Sequence, residues 1–127
     1  MPMQATSAVL HDGPRNLIMQ FTGICDGSGD ETLVKKVDVA ALSPVPLTVK
    51  IKETQYEVNG GILKMFWEAD DPVLIDSLAS VGERCYEEIG GMPNGGGPTA
   101  TGNILFSTIG FDSGSSYSVV LEMVKKF

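Results

Sequence analysis

Hydrophobic and polar residues alternate along much of this chain with a period of two, and glycine and proline interrupt the pattern at intervals. That period places successive side chains on opposite faces of an extended strand. In residues 15–25 (RNLIMQFTGIC), Leu17, Met19, Phe21 and Cys25 share one face, while Asn16, Gln20 and Thr22 share the other with Ile18 and Ile24. This predicts a strand with one apolar face and one mixed face, entered through a turn at HDGPR. Residues 47–58 (LTVKIKETQYEV) alternate as Leu47, Val49, Ile51 and then Thr54, Tyr56, Val58, so the phase slips near Glu53 and predicts a β-bulge. Asn59-Gly60-Gly61 follows, a hairpin signal because Asn and Gly tolerate positive φ. The return strand would be ILKMFWEA, with Leu63, Met65 and Trp67 on one face and Ile62 and Phe66 on the other. A second hairpin is predicted around Asp112-Ser113-Gly114, with Tyr117, Val119, Leu121 and Met123 inward and Ser118, Glu122 and Lys126 outward.

Between these units the pattern is weaker. Residues 70–80 could open a helix at Asp71 with Pro72 in its first position, but Leu74, Asp76 and Leu78 alternate, favouring a short strand or an irregular crossing. Residues 82–89 read as another strand, and 38–42 as one helical turn capped by Asp38 and stopped by Pro44. The expected fold is therefore all-β: a single antiparallel β-sandwich, jelly-roll-like, with an up-and-down barrel as the alternative. An N-terminal arm (1–14) and a flexible Gly-rich loop (90–102), which holds six of the chain's 15 glycines, complete the organisation.

Composition narrows the function. At 127 residues and 43% hydrophobic content, one domain with its own core is expected. The net charge of −7, with nine basic residues that look scattered apart from Lys35-Lys36 and Lys125-Lys126, argues against a nucleic-acid partner. No segment reaches the roughly 20 apolar residues of a membrane-spanning helix. The first residues show no basic region followed by an apolar stretch, so cytoplasmic assembly without a signal peptide is expected. Two cysteines, Cys25 and Cys85, make no disulfide framework and read as buried free thiols in strands.

Candidate chemistry is sparse. Asp26, Ser28 and Asp30 match oxygen-ligand positions 1, 3 and 5 of an EF-hand loop, but Glu31 stands where Gly is required and Val37 where the bidentate Glu belongs. The stretch reads as a turn, and no metal is expected. PNGGGPTATGN lacks the lysine of a phosphate-binding loop, is followed by a strand and contains two prolines, so no nucleotide cofactor is expected either. His11 is the sole histidine and falls in an expected turn, a poor base for nucleophilic catalysis. Asp70-Asp71 and Glu87-Glu88 are adjacent pairs whose members face opposite sides of a strand. What remains is surface. Ile18, Ile24, Ile62 and Phe66 lie opposite the main apolar sets and call for a second packing layer, either internal or another copy of the chain.

LHDGPRNLIMQFTGI, VDVAALSPVPLTVKIKETQYEV, LKMFWEAD and TGNILFSTIGF with SYSVVLEMVKK, spread over nearly the whole chain, resemble a group of small structural proteins of tailed bacteriophages. The best-understood comparison within that group is the head cement, or decoration, protein. The resemblance implies a jelly-roll-like virion protein on the head surface, a homo-oligomer (dimer or trimer), with the major capsid protein as partner and no catalysis. The expected contact residues are those of the arm and the Gly-rich loop: Met3, Ala5, Val9, Leu10, Met92, Pro93, Asn94 and Thr99. The competing expectation is a tail- or fibre-associated or carbohydrate-binding sandwich, with Trp67, Tyr56 and Tyr86 as its stacking platform.

Overall fold

The computed structural model describes residues 3–25, 32–42, 44–86, 91–95, 97 and 100–126, with the side chains of Met3, Gln4 and Ala5 excepted. They build β1 (Met3–Asp12), β2 (Asn16–Cys25), β3 (Val34–Val37), β4 (Thr48–Trp67), β5 (Val73–Cys85), β6 (Ile104–Ile109) and β7 (Ser116–Lys126). One 3-10 turn, Val39–Ala41, sits between β3 and β4; Asp38 caps it, its carboxylate accepting from the Ala40 amide at 3.1 Å, as the sequence suggests. The strands form one antiparallel sheet of seven, ordered β1-β2-β7-β4-β6-β3, with β5 on the free side of β4. The fold class is all-β, an antiparallel sheet curled upon itself into a sandwich.

The curl is made by β4, and here both expected hairpins are corrected. Residues 48–58 and 62–67 do not fold back on each other. They form one 20-residue strand that pairs with β7 through Thr48–Asn59 and with β6 through Ile62–Trp67. Likewise β6 and β7 do not pair together; they follow one another along the same edge of β4. The chain reverses instead at residues 68–72, and β5 returns along the other edge of β4. Asn59-Gly60-Gly61 is thus a corner rather than a reversal. Gly60 has φ +86°, Ser80 of β5 has φ +65°, and Gly110 and Gly114 between β6 and β7 have φ +74° and +90°. Every chain crossing the corner uses left-handed backbone there, the device that lets strands pass from one layer of a sandwich to the other.

Above and below the corner the layers close face to face. Leu17, Met19, Phe21, Val49, Ile51, Val119, Leu121 and Met123 come from one side, Leu63, Met65, Trp67, Ile104 and Phe106 from the other, all buried. Phe21 and Phe106 meet edge to face across the sandwich, with ring centroids 5.1 Å apart. Each such fully buried side chain contributes roughly 1.5–3 kcal/mol relative to exposure. The bulge expected near Glu53 is present as a register shift between Ile51 and Glu53 against β7. Residues 73–85 form one strand, which takes in most of the expected 70–80 segment and the start of the expected 82–89 strand, whose last residues lie outside the described ones. At the end of β7 the inward alternation places Lys125 where its side chain is fully buried. Its ammonium is met by Asp12 at 2.5 Å and by the Pro44 carbonyl at 3.1 Å, so the inward charge is paired.

Candidate functional site

The expected contact residues divide. Residues 3–12 are no free arm but β1, paired with β2 from Met3↔Cys25 to Asp12↔Leu17, because the strand can satisfy its backbone on β2. Among the described residues no strand pairs with the other side of β1, which is an open sheet edge. Met3 and Ala5 lie on this edge, and Val9 and Leu10 bare 53% and 56% of their surface. The register shifts between Val9 and His11, a bulge centred on Leu10. His11 is therefore an exposed strand residue, not a turn residue, and borders a cleft of about 180 Å³ with Asn16, Ile18 and Glu122.

The described part of the Gly-rich loop is pinned, not free. Met92 bridges Ile51 through two backbone hydrogen bonds of 2.8 and 3.1 Å and packs its side chain on the core. Asn94 donates to the Thr48 hydroxyl at 2.9 Å, and Pro93 alone of the three is well exposed. Thr99 lies outside the described residues, as do the Asp26-Ser28-Asp30 stretch and Glu87-Glu88. The two groups are not brought together: β2, β7 and β4 stand between β1 and the 91–94 segment, about 19 Å at the usual strand spacing.

Among the described residues the outward-facing apolar side chains are covered unevenly: Leu105 is buried, and Ile18 and Phe66 are half-buried. Ile24 is 56% exposed on β2. On the outer face of the other layer, Leu105, Phe66 and Leu74 form one row across β6, β4 and β5, and Ile109 and Ile62 form another. Leu74, Ile109 and Ile62 remain 49%, 46% and 39% exposed. Beside them Leu33, Phe66, Pro72 and Ile109 line an open groove of about 400 Å³. The sequence pattern marked Ile62 and Phe66; it missed Leu74 and Ile109 because their neighbours depend on a register that the supposed hairpins misplaced.

Polar clusters in the described residues hold the fold's edges. Glu68 accepts from Thr101 Oγ1 at 2.7 Å and Asn103 Nδ2 at 3.0 Å, and these hydrogen bonds, the first the larger, hold its carboxyl below the usual range. Asp76 of β5 accepts from Arg84 Nε at 3.0 Å and the Tyr86 hydroxyl at 3.4 Å. Burial, then the Asp76 charge, pushes the Tyr86 phenol up, so it stays a donor. Arg84 lies 5.6 Å over the Tyr56 ring. The supposed stacking platform is dismantled: Trp67 is a core residue, 2% exposed, and Tyr56 already carries Arg84. Cys25 is buried as expected, and its thiol donates to the Phe111 carbonyl, but Cys85 is exposed at the end of the outer strand β5. No group of three or more His, Cys, Asp or Glu side chains able to hold a metal occurs among the described residues.

No family model and no curated protein matches the chain. Among solved structures it is similar to a cupin superfamily protein from Desulfitobacterium hafniense, at 13% identity and a TM-score of 0.38, over 98% of this chain and 79% of that one.

Proposed function

We propose that this chain is a virion structural protein, a cement or decoration protein that binds the outer surface of a tailed-phage head and bridges subunits of the major capsid protein. The observation that carries the reading is the open edge of β1, ten residues long, with Val9 and Leu10 bared and no charged side chain before His11. Natural sheets blunt such edges with lysine, proline or a covering element, because an unpaired row of amides and carbonyls recruits another strand. Left open apart from its bulge, this edge suits strand addition from a neighbour. The resemblance to phage structural proteins supplies the neighbour, and the apolar outer face of the other layer supplies a second contact, so one molecule can touch two subunits. Bridging stabilises a shell without making or breaking bonds: each site adds buried area across a joint, and repetition converts modest affinity into avidity. A homo-oligomer, dimer or trimer, would assemble in the host cytoplasm before or during attachment to the head.

The test is copy number and binding together. Quantitative mass spectrometry of purified virions is expected to find hundreds of copies, and purified protein is expected to co-sediment with emptied, expanded heads. V9D/L10D, which puts charge on the open edge without touching the core, is expected to abolish co-sedimentation. A dozen copies or fewer would place the protein in the tail or connector and end the reading.

A further inference from the structure

The nine basic residues, scattered along the sequence, are not scattered in space. Four of them, Arg15, Lys50, Lys52 and Lys126, line one open groove of about 550 Å³ on the outer face of the β2-β7-β4 layer. The register explains the convergence. Asn16 pairs with Val124 and Val124 with Lys50, a single row across three strands. Lys52 lies two residues along β4 and Lys126 two residues along β7, both on the same outward face, and Arg15 precedes Asn16 at the entry to β2. Lys52 is two positions from Lys50, about 7 Å, Lys126 is diagonal to Lys50 at about 7–8 Å, and Arg15 lies two strands away, about 10 Å. Like charges at that range add their potentials, so the groove is a local concentration of positive charge on an otherwise acidic protein. Lys125, the next residue of β7, points inward and is paired with Asp12, so it neither adds to nor relieves the groove. Lys52 also lines the adjoining cleft together with His11 and Glu122, beside that carboxylate, so the groove's own cations are Arg15, Lys50 and Lys126.

We infer that this groove is a binding site for an acidic polypeptide segment, a short run of Asp or Glu side chains from a protein partner. The opposite sign of groove and ligand carries the affinity, and the rest of the surface selects the ligand's length. With 16 acidic residues against nine basic, the protein outside the groove repels an extended polyanion. A nucleic acid continues beyond any groove of this size and meets that surface; a short acidic segment does not. The inference is independent of the capsid reading, since it requires a protein partner but not a shell.

The probe is fluorescein-labelled hexaglutamate, read by anisotropy in low salt (about 20 mM, where screening is weak) and again at about 300 mM. The parent is expected to bind in low salt and lose most binding in high salt. K50Q/K126Q is expected to weaken binding about tenfold, whereas K35Q/K64Q, which removes equal charge from the other layer, changes it less than about twofold. Arg15→Gln, at an exposed position before β2, weakens it in the same direction and serves if the double variant folds poorly. No binding in low salt, equal losses in the two double variants, or tighter binding of an oligonucleotide of equal charge would overturn the assignment.

Discussion

Gly61→Ala distinguishes a continuous, cornered β4 from a hairpin at Asn59-Gly60. Gly61 does not use left-handed backbone, so in a hairpin an alanine there would start the return strand at little cost. In the observed fold a Cβ at this position would fall 2.2 Å from Phe111 Cδ1, 2.5 Å from Phe111 Cε1 and 2.7 Å from the Ile109 carbonyl oxygen. Phe111 is 5% exposed and stacks edge to face on Tyr117, with centroids 6.3 Å apart, so its ring cannot swing into solvent without opening the core. Overpacking of this kind costs about 2 kcal/mol, within the range of roughly 1–3. For a chain of this size that is a drop in Tm of about 6–10 °C. Phe111→Ala alone is expected to cost about 3 kcal/mol through its cavity. Because it removes the ring but leaves the Ile109 carbonyl beside the new methyl, the double variant should recover about half of the Gly61→Ala cost. The coupling, measured by urea unfolding of the four proteins, is therefore about 1 kcal/mol in the direction of rescue. Gly61→Ala within about 0.3 kcal/mol of the parent, or strictly additive costs, would refute the corner.

Three further outcomes follow from named contacts. Asp12→Asn leaves the buried Lys125 ammonium without its counter-charge and should cost about 2–4 kcal/mol by denaturant unfolding; Lys125→Met in the same background should recover much of it. Glu68 has its folded pKa below the ordinary value, so it contributes stability above the unfolded pKa, roughly 4.3, which is lost as pH falls through the folded value. Glu68→Gln should accordingly flatten the fall in Tm between about pH 5 and pH 3, at a cost of about 0.5–1 kcal/mol near neutrality. Finally, a thiol reagent should titrate one cysteine, Cys85, in the native protein and reach Cys25 only on unfolding; fast reaction of both would contradict the burial of Cys25.

The sequence by itself determined the faces of the strongly alternating strands, β2, β4 and β7, but not β1, which reads there as an arm, nor β3. Alternation is local: a residue's side of a strand follows from its neighbours two positions away, which is why Leu17, Met19, Phe21, Tyr117, Val119, Leu121 and Met123 were legible as core and are buried. The bulge near Glu53 and the Asp38 cap were readable for the same reason. Which strand pairs with which was not. Asn59-Gly60-Gly61 permits positive φ, and that freedom serves a tight reversal and a sheet corner equally well. The choice rests on ladders between residues far apart in the chain, β4 against β5, β6 and β7, which no local pattern encodes. The candidate surfaces inherit that limit. Val9 and Leu10 could be picked out as apolar residues near an end, but an open edge exists only once β1 has joined β2. Arg15, Lys50, Lys52 and Lys126 become one groove only because antiparallel register lays distant segments side by side, so tertiary structure alone turned isolated charges into a site.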